Sequence, residues 1–233
     1  MLIASNLSAL DWLTHGFGQR DSIYPDPITT VKQVHSDIVA EAPDGGGDRF
    51  TEADALVARQ PGLVVGVRTA DCVPVLLADT RTHAVAAIHA GWRGTARSIV
   101  AATLREMSAR YGTRPDDIHA AIGPSIGPCC YVVGLDVAQQ FQKWTHPNNR
   151  QLDLQGINAL QLAELGVVDV WKSGVCTFCE RDLYYSYRRE KEEAGRMLSF
   201  IGARQKTRRA DFPFESRGNP PEKTKPKAWS AMR

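Results

Sequence analysis

Three short apolar runs, each closed off by turn residues, constrain this chain more than anything else in its 233 residues. They are LVVGV (63–67), VPVLLA (73–78) and HAVAAIHA (83–90). Each is too short for a core helix, and none alternates apolar with polar. Uninterrupted runs of about four to eight such residues between turn signals predict strands buried on both faces. The polar DTRTH stretch between the second and third runs predicts a hairpin. TVKQVH and SDIVAEA (30–42), IHAAIG (118–123) and VVDVW (167–171) read as further strands, and DGGGD (44–48) as a loop.

Helical periodicity appears in two places. Ile99, Val100, Thr103, Leu104, Met107 and Tyr111 share one face, with Gly112 as a C-cap. A second helix fits Leu154–Leu165, with Ile157, Leu160 and Leu165 inward and Gly166 ending it. Asp136 is placed to cap a short helix running to Phe141. Strands and helices mix without strict βαβ alternation. The expected fold is therefore α+β: a single domain of mixed β-sheets flanked by helices over residues 1–204. Residues 205–233 carry five Pro or Gly, little periodicity and a net charge of +5, and read as a basic, Pro-rich tail.

With the tail set aside, residues 1–204 carry −3, so the body is no basic platform for nucleic acid. No window approaches a membrane span, and the N-terminal MLIASNLSALDW, with Asp11 and no basic region, reads as folded protein and not as a signal peptide. Five cysteines, an odd number without a secretory signal, point to a reducing, cytoplasmic setting.

The residues able to do chemistry cluster around the hairpin. His89 ends the AVAAI strand and Cys72 precedes VPVLLA, so hairpin pairing brings 72 and 89 to one open end as cross-strand neighbours. His35 closes the strand-like VKQVH. Two imidazoles and a thiolate suit zinc, and three protein ligands leave the open position of a catalytic site. Spacing alone fits a buried free cysteine and two unrelated histidines at least as well. His83, His119 and His146 read as edge, turn or loop residues.

KQVHSDIV, ADALV, TADCVPVLLAD, AAIHAGWRGTA, AIGPSIGPCCYVVG and CTFC…YYSYRREKEEAGRMLSFI follow one another in this order over residues 12–202. This series resembles the YfiH-like, laccase-domain ("multicopper polyphenol oxidase") family of zinc-dependent purine nucleoside phosphorylases. The resemblance implies a metal held by His35, Cys72 and His89, and purine nucleosides and phosphate as small-molecule partners. It also implies phosphorolysis of adenosine, inosine, guanosine and methylthioadenosine, together with adenosine deamination. The lowering of water's pKa by zinc rationalises the deamination. Two departures stand out: the stretch between HGF and QVH is shortened, losing a Gly-rich and Asn-Leu-Gly segment, and the basic tail is added.

Around these ligands, Asp71 is a general base, an orienting group or a turn cap. Arg93, Arg188 and Arg189 are phosphate binders or solvated surface residues, and Arg93 is carried with Asp71 as a catalytic candidate. Gln33 sits two residues from His35 and, with the segment read as a strand, shares its face and points into the same pocket as a substrate-binding candidate. Gly123, Pro124 and Gly127 build a turn whose N–H groups could cradle phosphate. Cys130 and Tyr131 read as packing, and the Cys176–Cys179 pair as core. Two rival chemistries remain. A multicopper oxidase needs roughly ten histidines against the six present, which leaves only a single copper for polyphenol oxidation. Cys72 with a nearby His could instead be a nucleophile pair, and the resemblance then implies a cytoplasmic amidase acting on a peptidoglycan precursor.

Overall fold

The structure, a computed structural model, describes residues 1–45, 51–146 and 148–205. Most of the DGGGD stretch and nearly all of the tail lie outside the described residues. Nine strands are present among them: β1 Leu13–Phe17, β2 Val39–Glu41, β3 Ala55–Ala58, β4 Val64–Thr69, β5 Val73–Asp79, β6 Val85–Ala90, β7 Ile118–Ile122, β8 Asp169–Lys172 and β9 Met197–Ala203. Six form a mixed sheet in the order β2-β3-β6-β5-β7-β8, and three form an antiparallel sheet in the order β1-β9-β4. This is the α+β arrangement of mixed sheets and flanking helices expected from the sequence.

The apolar runs are explained by layering. In β5, Val73, Val75 and Leu77 pack in one core cluster with Ile99, Leu104, Met107 and Ile157 of the two longer helices. The alternate residues Leu76 and Ala78 pack in a second cluster with Phe17, Val65, Val67 and Ile201 of the smaller sheet. Successive side chains of a strand point to opposite faces. A strand sandwiched between helices and a second sheet is therefore apolar along its covered length, and all six residues of VPVLLA are buried. The expected helices run Ile99–Tyr111 and Leu154–Glu164. Gly112 and Gly166, at φ of 69° and 90°, follow them in the left-handed conformation that glycine adopts without a Cβ clash.

Three local expectations are corrected. Leu160 is 50% exposed, because it lies on the outer face of its helix. The short helix Leu135–Ala138 is preceded by Gly134, and Asp136 lies inside its first turn with no capping bond. Of residues 30–42, only Val39–Glu41 forms a strand. Lys32 makes an isolated bridge to Glu52, and VKQVH is otherwise a loop. Among the described residues no helix is long and apolar enough to cross a membrane.

Candidate metal and substrate site

His89 occupies the next-to-last position of β6 and is 3% exposed. The β5–β6 register pairs it with Pro74 and pairs Val73 with Ala90. Cys72 is thus the diagonal and not the direct partner of His89, two residues away from the predicted pairing but still within ligand reach. His35 arrives from the loop before β2, at φ 59°. One ligand atom from each of the three residues lies within 4.8 Å of the others. The two imidazoles meet edge to face, with ring centroids 4.9 Å apart. Gly91 closes this cluster: a Cβ there would stand 3.2 Å from both Cys72 Sγ and His35 Cδ2.

A buried carboxylate holds two of the three ligands. Asp54, fully buried, contacts His89 Nδ1 through Oδ1 at 2.7 Å. Oδ1 also accepts the His35 N–H at 3.0 Å, while Oδ2 accepts the Ser36 N–H at 2.6 Å, the Ser36 hydroxyl at 2.7 Å and the Val34 N–H at 3.3 Å. These bonds wrap the 34–36 loop around one anion and account for the left-handed backbone of His35. Burial pushes the Asp54 carboxyl up, but the bonds from His89 and Ser36 outweigh it and hold it at about 2. A carboxylate on Nδ1 leaves Nε2 as the ring's remaining ligand atom. The only sequence signal for Asp54 is its place in ADALV, one of the segments that carry the family resemblance.

The Cys72 thiol is also shifted. Burial pushes it up, yet the charge of His89 and hydrogen bonds from both histidines draw it down to about 6. Against its own burial, His89 is raised to about 9 by the Cys72 charge and by Asp54. The pair is thus a thiolate beside an imidazolium, ready to exchange its proton for a cation.

Asp71, at φ 84°, supports the third ligand from the adjoining position. Its Oδ1 accepts the Thr177 hydroxyl at 2.7 Å; its Oδ2 accepts the Ser186 hydroxyl at 3.0 Å and the Arg188 N–H at 2.6 Å. Gln33 lies on the cavity wall, but both ends of its amide are bound to the backbone of Arg68, each at 2.8 Å. Its place there comes from this brace and not from a shared strand face.

Two predicted residues are not brought to the cavity. Arg189 turns away and donates to the carbonyls of Thr177, Phe178 and Tyr184 and to Glu190, a peptide-bracing role. Arg93 is exposed, with its guanidinium 4.4 Å from the centre of the Trp92 ring. The other four histidines are engaged elsewhere: His15 accepts the Ala4 N–H, His83 stacks on Trp12, His119 pairs with Asp169, and His146 accepts the Asn148 N–H.

The cavity in front of the ligands measures about 700 Å³. Beside the predicted Gln33, Asp71 and Arg188 it exposes Tyr131 and also Arg68, Arg196 and Lys191, three residues that sequence reasoning passed over. Arg68 stands on β4 and Arg196 just ahead of β9, two strands that pair with each other, so the smaller sheet delivers both to one rim. Among the described residues none of Arg68, Arg188, Lys191 and Arg196 has a carboxylate within ion-pair distance. Tyr131 packs partly against the core, as expected, and also lines the cavity. Burial and the Cys72 charge push its phenol up to about 12, against the pull of Arg188 and Arg93, so it faces the cavity as a neutral donor.

Residues 17–204 match the family model described as multi-copper polyphenol oxidoreductase laccase. A protein of Deinococcus radiodurans named purine nucleoside phosphorylase is 42% identical over 184 residues, covering 76% of this chain and 70% of that one. One from an unknown prokaryotic organism, named adenosine deaminase RL5, is 40% identical over 64% of this chain and 61% of its own length. Among solved structures, the Bacillus licheniformis hypothetical protein YfiH superposes with a TM-score of 0.73 at 27% identity, covering 83% of this chain and 94% of that one. The chain belongs to the laccase-like, YfiH-type family of enzymes.

Proposed function

We propose that this enzyme is a zinc-dependent purine nucleoside phosphorylase that also deaminates adenosine, using His35, Cys72 and His89 as metal ligands. The observation that carries the reading is the joining of a three-donor cluster to a cavity rimmed by four cations that, among the described residues, have no carboxylate within ion-pair distance. The donor set fits zinc: two imidazole nitrogens and a cysteine already drawn to the thiolate, with room in the cavity for a fourth, exchangeable ligand. When bound, zinc supplies Lewis acidity to an oxygen or nitrogen centre of the substrate.

The chain's own residues do the rest. Arg68, Arg188, Lys191 and Arg196 bind and orient phosphate, since an anion in the cavity gains charge-assisted hydrogen bonds that no carboxylate among the described residues competes for. Ile126, Val31 and the Tyr131 ring provide apolar walls for a purine. Asp54 fixes the tautomer of His89. Asp71 is a positioning residue, because both of its oxygens are already occupied by donors. Adenosine, inosine, guanosine and methylthioadenosine are the substrates expected. The free thiols suit a cytoplasmic setting.

Copper-based polyphenol oxidation is the weaker reading. A multicopper centre needs many clustered histidines, and four of the six here are committed to contacts away from the cavity. The deciding assay supplies inosine and adenosine with and without phosphate. Phosphate-dependent release of hypoxanthine and ribose 1-phosphate is expected, with the KM for phosphate raised roughly tenfold or more in Arg188→Ala by loss of a charged hydrogen bond. Base release independent of phosphate, or none at all from zinc-loaded protein, overturns the phosphorylase reading.

A further inference from the structure

A second group of metal-ligating side chains lies apart from the cavity. Cys129, Cys130, Cys176 and Cys179 come from two segments nearly fifty residues apart, yet all four sulfurs lie within 4.8 Å of one another. Cys179 Sγ is 3.7 Å from Cys129 Sγ and 3.5 Å from Cys130 Sγ. These spacings are far longer than a disulfide bond of about 2.05 Å. They match the edge of a sulfur tetrahedron around zinc, about 3.8 Å for Zn–S bonds of about 2.3 Å.

The surrounding backbone is shaped for the same purpose. The Gly127 N–H donates to Cys176 Sγ at 3.2 Å, the kind of bond that stabilises a coordinated thiolate. A Cβ on Gly127 would stand 3.3 Å from Cys176 Cβ and 3.5 Å from Cys129 Sγ, so the absence of a side chain there lets the two segments approach closely without crowding Cys176. The segments are also joined by the bonds Ser125 N–H to Val175 O and Thr177 N–H to Ser125 O, at 3.3 and 3.0 Å.

We propose that Cys129, Cys130, Cys176 and Cys179 form a second metal site, a closed tetrathiolate zinc centre that staples the 123–131 turn to the segment following β8. Four protein ligands leave no open position, so its role is structural. Its effect reaches the cavity through short paths. Thr177, between two of the ligands, donates to Asp71, and Ile126, in the stapled turn, donates its N–H to the Asp71 carbonyl at 2.9 Å. The zinc thus fixes the wall that carries Tyr131 and supports Cys72. The assignment rests on the sulfur geometry and stands apart from the catalytic reading.

The test is zinc content per chain in full-length protein purified under reducing, zinc-replete conditions, with Cys72→Ser and the double variant Cys130→Ser/Cys179→Ser beside wild type. Two zinc ions are expected in wild type and one in each variant. Cobalt substitution gives a second readout that needs only wild type and Cys72→Ser. The intense thiolate-to-cobalt absorption of a four-sulfur site should survive in Cys72→Ser. One zinc in wild type with none in Cys72→Ser overturns the proposal, as does loss of that absorption in Cys72→Ser. Finding these four cysteines joined as disulfides in protein prepared without oxygen also overturns it.

Discussion

Replacing Asp54 with Asn keeps the shape of the side chain and removes its charge, at the point where one carboxylate organises two metal ligands. An amide has one accepting oxygen. If that oxygen takes the Oδ1 place, the NH2 group faces the N–H groups of Ser36 and Val34, which Oδ2 now accepts at 2.6 and 3.3 Å. In the other orientation the NH2 group faces the His35 N–H and forces His89 Nδ1 to accept, which places the ring proton on Nε2 and blocks it as a ligand. The depression of the carboxyl from 3.8 to about 2 corresponds to about 2 kcal/mol of preference for the ionised form in the fold. An unsatisfied buried N–H adds roughly 1 kcal/mol or more. The expected loss is about 3 kcal/mol in metal-free protein, or roughly 6–12 °C in Tm for a chain of this size. Zinc affinity should fall by about 10- to 100-fold, the usual cost of losing a carboxylate behind a ligating histidine. Urea unfolding of the metal-free protein reads the first effect, and competition with a chromophoric chelator reads the second. Stability within about 0.5 kcal/mol of wild type, together with unchanged zinc affinity, would refute the reasoning.

Other outcomes follow from the same contacts. Zinc binding near pH 7.5 should release about one proton per active-site metal, from His89 raised to about 9, since Cys72 at about 6 is already ionised. Calorimetry of the Cys130→Ser/Cys179→Ser variant in buffers of different ionisation enthalpy counts it, and two protons would contradict the thiolate assignment. Because Asp54 is depressed, its contribution to stability is fully present above its ordinary 3.8 and is lost as pH falls toward 2. Acid titration of metal-free Asp54→Asn should accordingly lose the part of the wild-type transition in that window. Gly91→Ala should weaken active-site zinc binding while the protein stays folded, because its Cβ presses on Cys72 and His35 at 3.2 Å, at a cost of about 1–3 kcal/mol. Wild-type zinc affinity in that variant would show that the ligands yield freely. Arg189→Ala should lower Tm by several degrees, since its guanidinium serves three carbonyls, and leave the KM for phosphate near wild type. A large rise in that KM would restore Arg189 to the phosphate site.

Strands β4 to β8 and both longer helices were legible in the sequence because burial imposes a local repeat. A strand covered on both faces is apolar at every position, as VPVLLA is, and a half-buried helix repeats every three to four residues. The ligand set was legible only through the family resemblance, with spacing alone undecided between a metal site and coincidence. Tertiary structure decided everything that depends on distant segments meeting. Asp54 lies 35 residues from His89, and Thr177 lies 106 from Asp71. No periodicity within either segment marks such a contact. Arg68 and Arg196 were missed for the same reason, since each stands on or beside a strand whose partner comes from the other end of the chain. Gln33 was assigned to the cavity wall through a strand that does not exist, and a brace to Arg68 puts it there instead. Cys130 and the Cys176–Cys179 pair, read separately, looked like packing and core. Only folding brings their sulfurs and that of Cys129 together, because the sequence records which side chains favour burial and short-range turns but not which of them will face one another across the sheet.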